Sequence, residues 1–222
     1  MIELTDIALT YNAGKPNAFE ALRGITTRVE TGHLTVIKGA SGSGKSSLLS
    51  ILGCMRRPTA GRIRLREREI TSLPERFRTR VRRETFGFVF QHFHLIRGIS
   101  VLENVMLPAY PAGVPIRKLR SRARGLLDRF EIGGKAARKI EELSGGERQR
   151  AAIARSLVND PDVIIADEPT AHLDSDLSRD VVGLLAGLTG EGKTVIIASH
   201  DPLVIESQPG CRVIELCDGR IC

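Results

Sequence analysis

The sequence predicts an α/β fold carrying an inserted helical lobe, and three observations lead there. A glycine-rich run, Gly39-Ala40-Ser41-Gly42-Ser43-Gly44-Lys45-Ser46, separates a strand-like segment at 33–38 from a helix-like one at 46–52. Two apolar runs, Val163-Ile164-Ile165-Ala166 and Thr194-Val195-Ile196-Ile197-Ala198-Ser199, read as buried strands, each followed by polar residues. From residue 92 to about 142 the pattern is helical and no strand is evident. The expected organisation is one domain over 1–222. An α/β core at about 1–91 and 156–222 begins with an antiparallel β portion, and a helical lobe fills about 92–155.

Residues 2–10 and 22–30 alternate as strands do, around a loop through Tyr11-Asn12-Ala13-Gly14-Lys15-Pro16. Tyr11 has two readings: a platform for a nucleotide base, or an ordinary partly buried loop aromatic. The run at 39–46 satisfies the phosphate-binding pattern G-x-x-x-x-G-K-[ST] at every fixed position. Glycines let a backbone close around an anion with no Cβ in the way, and successive N–H groups then form an anion-binding nest. Lys45 would bring a mobile charge to the outer phosphates and Ser46 a hydroxyl to Mg²⁺. The helix that follows would aim its positive end at the same place. A glycine- and serine-rich loop ahead of a helix is the plainer alternative; the strand before it and the helix after it favour the nucleotide reading.

Pro58-Thr59-Ala60-Gly61 is a turn leading to a short hairpin, in which Arg62-Ile63-Arg64-Leu65-Arg66 alternates as a strand with one wet face. A basic helix near 74–83 and a strand, Thr85-Phe86-Gly87-Phe88-Val89-Phe90, follow. Gln91 gains interest from its place just past the end of that strand, where open α/β sheets bind ligands. Ser100 and Glu103 form a capping box ahead of a helix at 101–107. Pro108, Pro111, Gly113 and Pro115 break the chain, after which Ile116, Leu119, Ala123, Leu126, Leu127 and Phe130 mark an amphipathic helix that Gly133-Gly134 is expected to stop.

Leu143-Ser144-Gly145-Gly146-Glu147-Arg148-Gln149-Arg150 leads into another helix. Ser144 and Glu147 have capping-box spacing, which accounts for a plain helix start. Ser-Gly-Gly also leaves backbone N–H groups open at the helix's positive end, which makes a second anion site. One ATP seldom needs two such loops from one polypeptide. Further on, Asp167 suits Mg²⁺, directly or through water, and Glu168 is placed for an attacking water as base or orienting group; the plainer reading is an acidic turn. Asp174 or Ser175 can cap the next helix. His200, the third polar residue found at a strand end, is assigned near the γ-phosphate. Residues 211–221 read as a closing hairpin through Asp218-Gly219.

The bulk properties agree with a soluble globular chain: 41% hydrophobic and 27% charged residues. The first residues carry no basic start and no apolar signal core, and no apolar run approaches the ~18 residues a span needs, so neither secretion nor membrane spanning is expected. Four cysteines (Cys54, Cys211, Cys217, Cys222) lack metal-type spacing and fit reduced thiols, with a disulfide near the C-terminus as the alternative. The net charge of +7 is concentrated: eleven arginines and no lysine lie between Arg56 and Arg83. A solvated basic surface, a surface near an anionic membrane and nucleic-acid binding are the three readings; the last lacks interleaved aromatics for stacking.

The phosphate loop, Gln91, Leu143-Ser144-Gly145-Gly146-Glu147, the strand ending in Asp167-Glu168, the Leu173-Asp174 loop and His200, in that order, resemble the nucleotide-binding domain of an ABC transporter. The resemblance covers essentially the whole chain. Within the family, Phe86 to Pro108 and Ala166-Asp167-Glu168-Pro169-Thr170 are similar to the subunits of lipoprotein-release, macrolide-efflux and cell-division systems. It implies a P-loop NTPase (RecA-like) core with an N-terminal antiparallel β subdomain and an inserted α-helical subdomain. It implies an ATPase that binds ATP and Mg²⁺, pairs with an identical or closely related second subunit, and serves separate integral membrane permease subunits from the cytoplasmic face of the membrane, with no nucleic-acid partner.

The resemblance also implies roles. Tyr11 stacks on adenine. Gly39, Ala40, Ser41, Gly42, Ser43, Gly44, Lys45, Ser46 and Ser47 bind the phosphates, with Ser46, Asp167 and Gln91 at the metal. Ser144, Gly145, Gly146 and Glu147 bind the γ-phosphate of the ATP held by the second copy. Asp174 lies at the dimer contact, and His200 touches the γ-phosphate. Two anion loops in one chain then make sense, each ATP lying between different loops of two subunits. Three residues depart from the family's pattern: Ser47 for a usual Thr, Lys38 for an apolar residue or Gly, and His172 in the Leu-Asp loop. None removes a catalytic group.

Overall fold

The alternating stretches at the N-terminus pair into one sheet. In a computed structural model that describes residues 1–171 and 173–222, β1 (Ile2–Tyr11), β2 (Phe19–Val29), β4 (Ala60–Leu65) and the short β5 (Arg68–Glu69) form an antiparallel sheet in the order β2-β1-β4-β5. Ile2, Leu4, Ile7 and Leu9 of β1 are buried on its inner face. The continuously apolar runs form the second sheet, as strands covered on both faces do. There β3 (Leu34–Lys38), β6 (Phe86–Val89), β7 (Val163–Asp167), β8 (Thr194–Ser199), β9 (Arg212–Cys217) and β10 (Arg220–Ile221) take the order β10-β9-β3-β8-β7-β6. Every pairing from β9 to β6 is parallel.

The helices divide between the faces of that second sheet. α1 (Lys45–Leu52) packs with the antiparallel sheet, together with Val163 and Ile165 of β7 and Ile196 and Ala198 of β8. The intervening residues, Ile164, Ala166, Val195 and Ile197, join a second cluster with α3 (Val101–Met106), α4 (Ile116–Arg129), α5 (Gly145–Leu157) and α6 (Ser175–Gly187). The period-two alternation of β7 and β8 thus feeds two cores from one sheet. α2 (Glu75–Thr85) and α7 (Pro202–Glu206) are the remaining α-helices among the described residues. Among the described residues no helix is long and apolar enough to cross a membrane.

Two expectations are corrected. α4 ends at Arg129, and Glu131 turns the chain with φ of 59°, so the glycine pair is not the stop. Gly133 and Gly134 sit in a short 3₁₀ turn, where a Cβ on Gly133 would strike Asp128. Cys217 and Cys222 form a disulfide across the closing hairpin, whereas Cys54 and Cys211 are free thiols.

The arginine-rich stretch has internal partners. Arg78, 6% exposed, pairs with Glu75 at 2.8 Å and donates to the Cys54 carbonyl at 2.9 Å, which Arg82 also meets. These bonds tie α2 to the end of α1. Lys38, unusual before the loop, faces its register partner Glu215 on β9 at 3.5 Å.

Candidate functional site

Parallel pairing decides which polar residues meet. β3, β6, β7 and β8 point the same way, so the loop 39–44, Gln91, Asp167-Glu168 and His200 all emerge at one end of the sheet. They surround a cavity of about 340 Å³, whose lining includes Ser41, Gly42, Gly44, Lys45, Ser46, Ser47, Gln91, Glu168 and His200. Strand ends at which helices and loops depart are where open α/β sheets bind ligands.

The loop needs its glycines for two reasons. Gly42 and Gly44 have φ of 83° and 104°, a region glycine occupies without strain. Gly39 has ordinary φ, but a Cβ there would lie 2.4 Å from the Leu216 carbonyl. Lys45, 7% exposed, donates from Nζ to the Gly39 carbonyl at 2.7 Å and the Ala40 carbonyl at 3.0 Å. Its ammonium therefore sits across the mouth of the loop, at the start of α1.

Glu168 is the second focus. It is 8% exposed and holds φ of 45°, left-handed and costly for a side chain of this kind. The Ala198 carbonyl, which accepts its N–H at 2.9 Å, anchors it there. Its Oε1 lies 2.9 Å from His200 Nδ1 and 3.3 Å from Lys45 Nζ, and its Oε2 accepts from the Ser199 hydroxyl at 3.3 Å. Lysine, glutamate and histidine, 32 to 155 positions apart in the sequence, thus meet at one carboxylate because β7 lies beside β8 and β8 beside β3.

Next to it, burial pushes the Asp167 carboxyl above its ordinary value, against the opposing pull of a hydrogen bond from Ser46. Asp167 Oδ1 is buried without a hydrogen-bond partner among the described residues. An orphaned carboxylate oxygen beside a hydroxyl fits a divalent cation that takes its other ligands from phosphate and water, as Mg²⁺ prefers. Among the described residues no group of three or more His, Cys, Asp and Glu side chains gathers as a metal cage.

Other predicted residues lie apart. Ser144 caps α5 in a full capping box, accepting from the Glu147 N–H at 3.3 Å, while Glu147 accepts from the Ser144 N–H at 2.9 Å. Glu147 also pairs with Lys135, whose hydrogen bond lowers its carboxyl pKa. None of Ser144, Gly145, Gly146 and Glu147 lines the cavity around Lys45. Asp174 caps α6, accepting from the N–H groups of Asp176 and Leu177. Tyr11 places its hydroxyl 3.1 Å from the Ser47 hydroxyl. His172 lies outside the described residues.

Sequence reasoning missed several contributors. Phe19, 58% exposed, lines the cavity and stands opposite Tyr11 across β1 and β2. Its signal was an aromatic residue at a strand's wet start. Gln149, fully buried in α5, donates to the Pro169 carbonyl at 2.8 Å and so holds the loop after Glu168. Arg155 donates to the carbonyls of Phe93 and His94, two residues with positive φ just past Gln91. The Gly219 N–H of the closing hairpin meets the Ser43 carbonyl at 3.0 Å, which braces the phosphate loop from below. No local pattern announces these long-range bonds.

Comparison with known proteins identifies the family and the fold. Residues 22–171 match the family described as ABC transporter. The chain is 44% identical over 221 residues to the macrolide export ATP-binding/permease protein MacB of Hyphomonas neptunium. It is 42% identical to the pyoverdine export ATP-binding/permease protein PvdT of Pseudomonas aeruginosa. All of this chain is covered in both cases, but it spans only about a third of those relatives' length, 34% and 33%. Among solved structures, the dimeric ABC transporter cassette MJ0796 superposes with a TM-score of 0.90 at 38% identity, covering 100% of this chain and 96% of that one. The same cassette in a post-hydrolysis state bound to ADP and Pi gives 0.90 at 37% identity.

Proposed function

This chain belongs to the ABC transporter family, and from that premise we propose that it is an ATP-hydrolysing subunit that closes in pairs around two ATP molecules and powers a membrane export permease. The observation that carries the reading is the meeting of Lys45, Glu168 and His200 at the mouth of the phosphate loop.

The chemistry follows from these groups. The phosphate chain of ATP takes over the Lys45 ammonium from the Gly39 and Ala40 carbonyls and from Glu168. N–H groups of the loop and the start of α1 hold the β- and γ-phosphates. Glu168, released from Lys45, accepts a proton from the attacking water as its oxygen bonds to the γ-phosphorus; the bond to the bridging oxygen breaks, and ADP and phosphate leave. His200 turns from Glu168 to the γ-phosphate, and Gln91 orients the water. Ser46 and Asp167 would hold Mg²⁺, which would supply neutralisation of phosphate charge. Ser144 to Glu147 serve the ATP of the partner copy, with Asp174 at the contact. Chain boundaries near 92 and 155 separate the helical lobe that carries this second loop.

Relatives that are export ATP-binding/permease proteins support the export reading, and the cargo would be chosen by the permease. The subunit would then lie on the cytoplasmic face of a membrane. The arginine-rich stretch does not favour a nucleic-acid role, because Arg57, Arg78 and Arg82 are engaged by backbone carbonyls. The test is Glu168→Gln. Removing the base should slow hydrolysis by about 10²-fold or more, leave ATP affinity within a few-fold, and accumulate an ATP-bound dimer on gel filtration. Full turnover by that variant would remove Glu168 from the mechanism.

A further inference from the structure

We infer that Arg56 is a positioning residue of the nucleotide site, its guanidinium backing the Tyr11 ring and making that ring a better platform for a purine. The inference rests on the proposed role of Tyr11. The Arg56 guanidinium carbon lies 4.6 Å from the centroid of the Tyr11 ring. Other arginines of the stretch are engaged elsewhere: Arg57, Arg78 and Arg82 bond to backbone carbonyls, Arg66 pairs with Asp162, and Arg76 stacks on its own chain neighbour Phe77. Arg56 stacks on the ring of a residue from another element, Tyr11 of β1.

The geometry fixes both partners. The Tyr11 hydroxyl is tied to Ser47, in the first turn of α1. The Arg56 N–H bonds to the Ser50 carbonyl at 3.0 Å, which seats Arg56 against the helix about 4.5 Å farther along its axis, at ~1.5 Å per residue. The guanidinium therefore reaches the Tyr11 ring from the chain that follows α1. Phe19 stands directly opposite Tyr11 in the β1–β2 register. Directly opposite residues share one face of a sheet. Phe19 lines the cavity beside Lys45 and its register partner Tyr11 adjoins it from just outside that lining, so the base of a nucleotide anchored at the loop would rest against this pair.

A cation on one face of an aromatic ring draws on its quadrupole and leaves the opposite face less electron-rich. That favours stacking by an electron-rich purine. The contact also holds the ring in place before the ligand arrives, which lowers the ordering cost of binding. Arg56 acts through Tyr11 and touches no phosphate.

The experiment is calorimetric titration of the full chain with MgATP and with Mg-tripolyphosphate, which has the phosphates but no base. Wild type, Tyr11→Ala, Arg56→Ala, Arg56→Lys and the Tyr11→Ala/Arg56→Ala pair are compared. Arg56→Ala should weaken MgATP by about 3–10-fold, the range expected for a partly exposed cation–π contact. It should leave tripolyphosphate affinity unchanged, raise KM for ATP and spare kcat. Arg56→Lys should restore part of the loss, and the double variant should bind no worse than Tyr11→Ala. Unchanged or tighter MgATP binding by Arg56→Ala, equal loss for tripolyphosphate, or additive losses in the double variant would overturn the role of Arg56 alone, provided Tyr11→Ala weakens binding. No loss in Tyr11→Ala would overturn the Tyr11 platform and this inference with it.

Discussion

Cys54 shows how burial sets the chemistry of a single group. It is 3% exposed, and burial pushes its thiol up from 9.0 to about 11 despite the nearby charges of Arg78 and Arg82. The folded thiol holds its proton more tightly than the unfolded one. The stability this contributes is complete below pH 9 and is lost as pH rises towards 11. Unfolding free energies at pH 8 and pH 10.5 should therefore fall by about 2 kcal/mol more for wild type than for Cys54→Ala. Equal falls would show that the thiol does not feel its burial. At this scale the sequence was legible where chemistry fixes both residue type and spacing, as at Gly39 to Ser46. At Glu168 the residue was legible but its contacts with Lys45 and His200 were not, because they depend on strand order. Phe19, whose neighbour Tyr11 is reached across a sheet, was not legible.

Elements are specified by their ends, and α5 is the case with functional weight. Its Ser144–Glu147 capping box was readable because both partners lie within one turn. Among the described residues Ser144 serves as a helix cap. Ser144→Ala and Ser144→Arg should thus cost similar stability, about 1 kcal/mol by thermal melting. Only the arginine variant should lose dimerisation with ATP while still binding it, since its bulk would fill the space a partner's phosphates need. Matching dimerisation by the two variants would separate the loop from the subunit contact. α2 teaches the opposite lesson. Its arginines read as a solvated face, yet Arg78 is buried and holds the carbonyl of Cys54. Arg78→Ala removes one of the two guanidinium groups on that carbonyl, leaving Arg82 on it, and should lower stability by about 1 kcal/mol. A change below 0.5 kcal/mol would mean that water replaces the guanidinium freely.

Across the whole molecule, the order of motifs along the chain was enough to place them at strand ends, because parallel strands bring those ends together. What the sequence posed as a puzzle was the presence of two anion loops, and in the folded chain only one of them, 39–46, lines the cavity with Glu168. If the Ser144 loop completes the site of a second copy, two crippled variants should repair each other. In a mixed pair of Glu168→Gln and Ser144→Ala chains, one site carries both defects. The other joins an intact Glu168 from one chain to an intact Ser144 from its partner. Random pairing makes half the dimers mixed, each with one sound site of two, so equal mixtures should recover up to about a quarter of wild-type hydrolysis in a symmetric dimer. The recovered rate should rise with the square of protein concentration when dilute. A mixture whose activity is only the average of its two components would mean that each chain hydrolyses ATP with its own residues, and the Ser144 loop would then need another ligand.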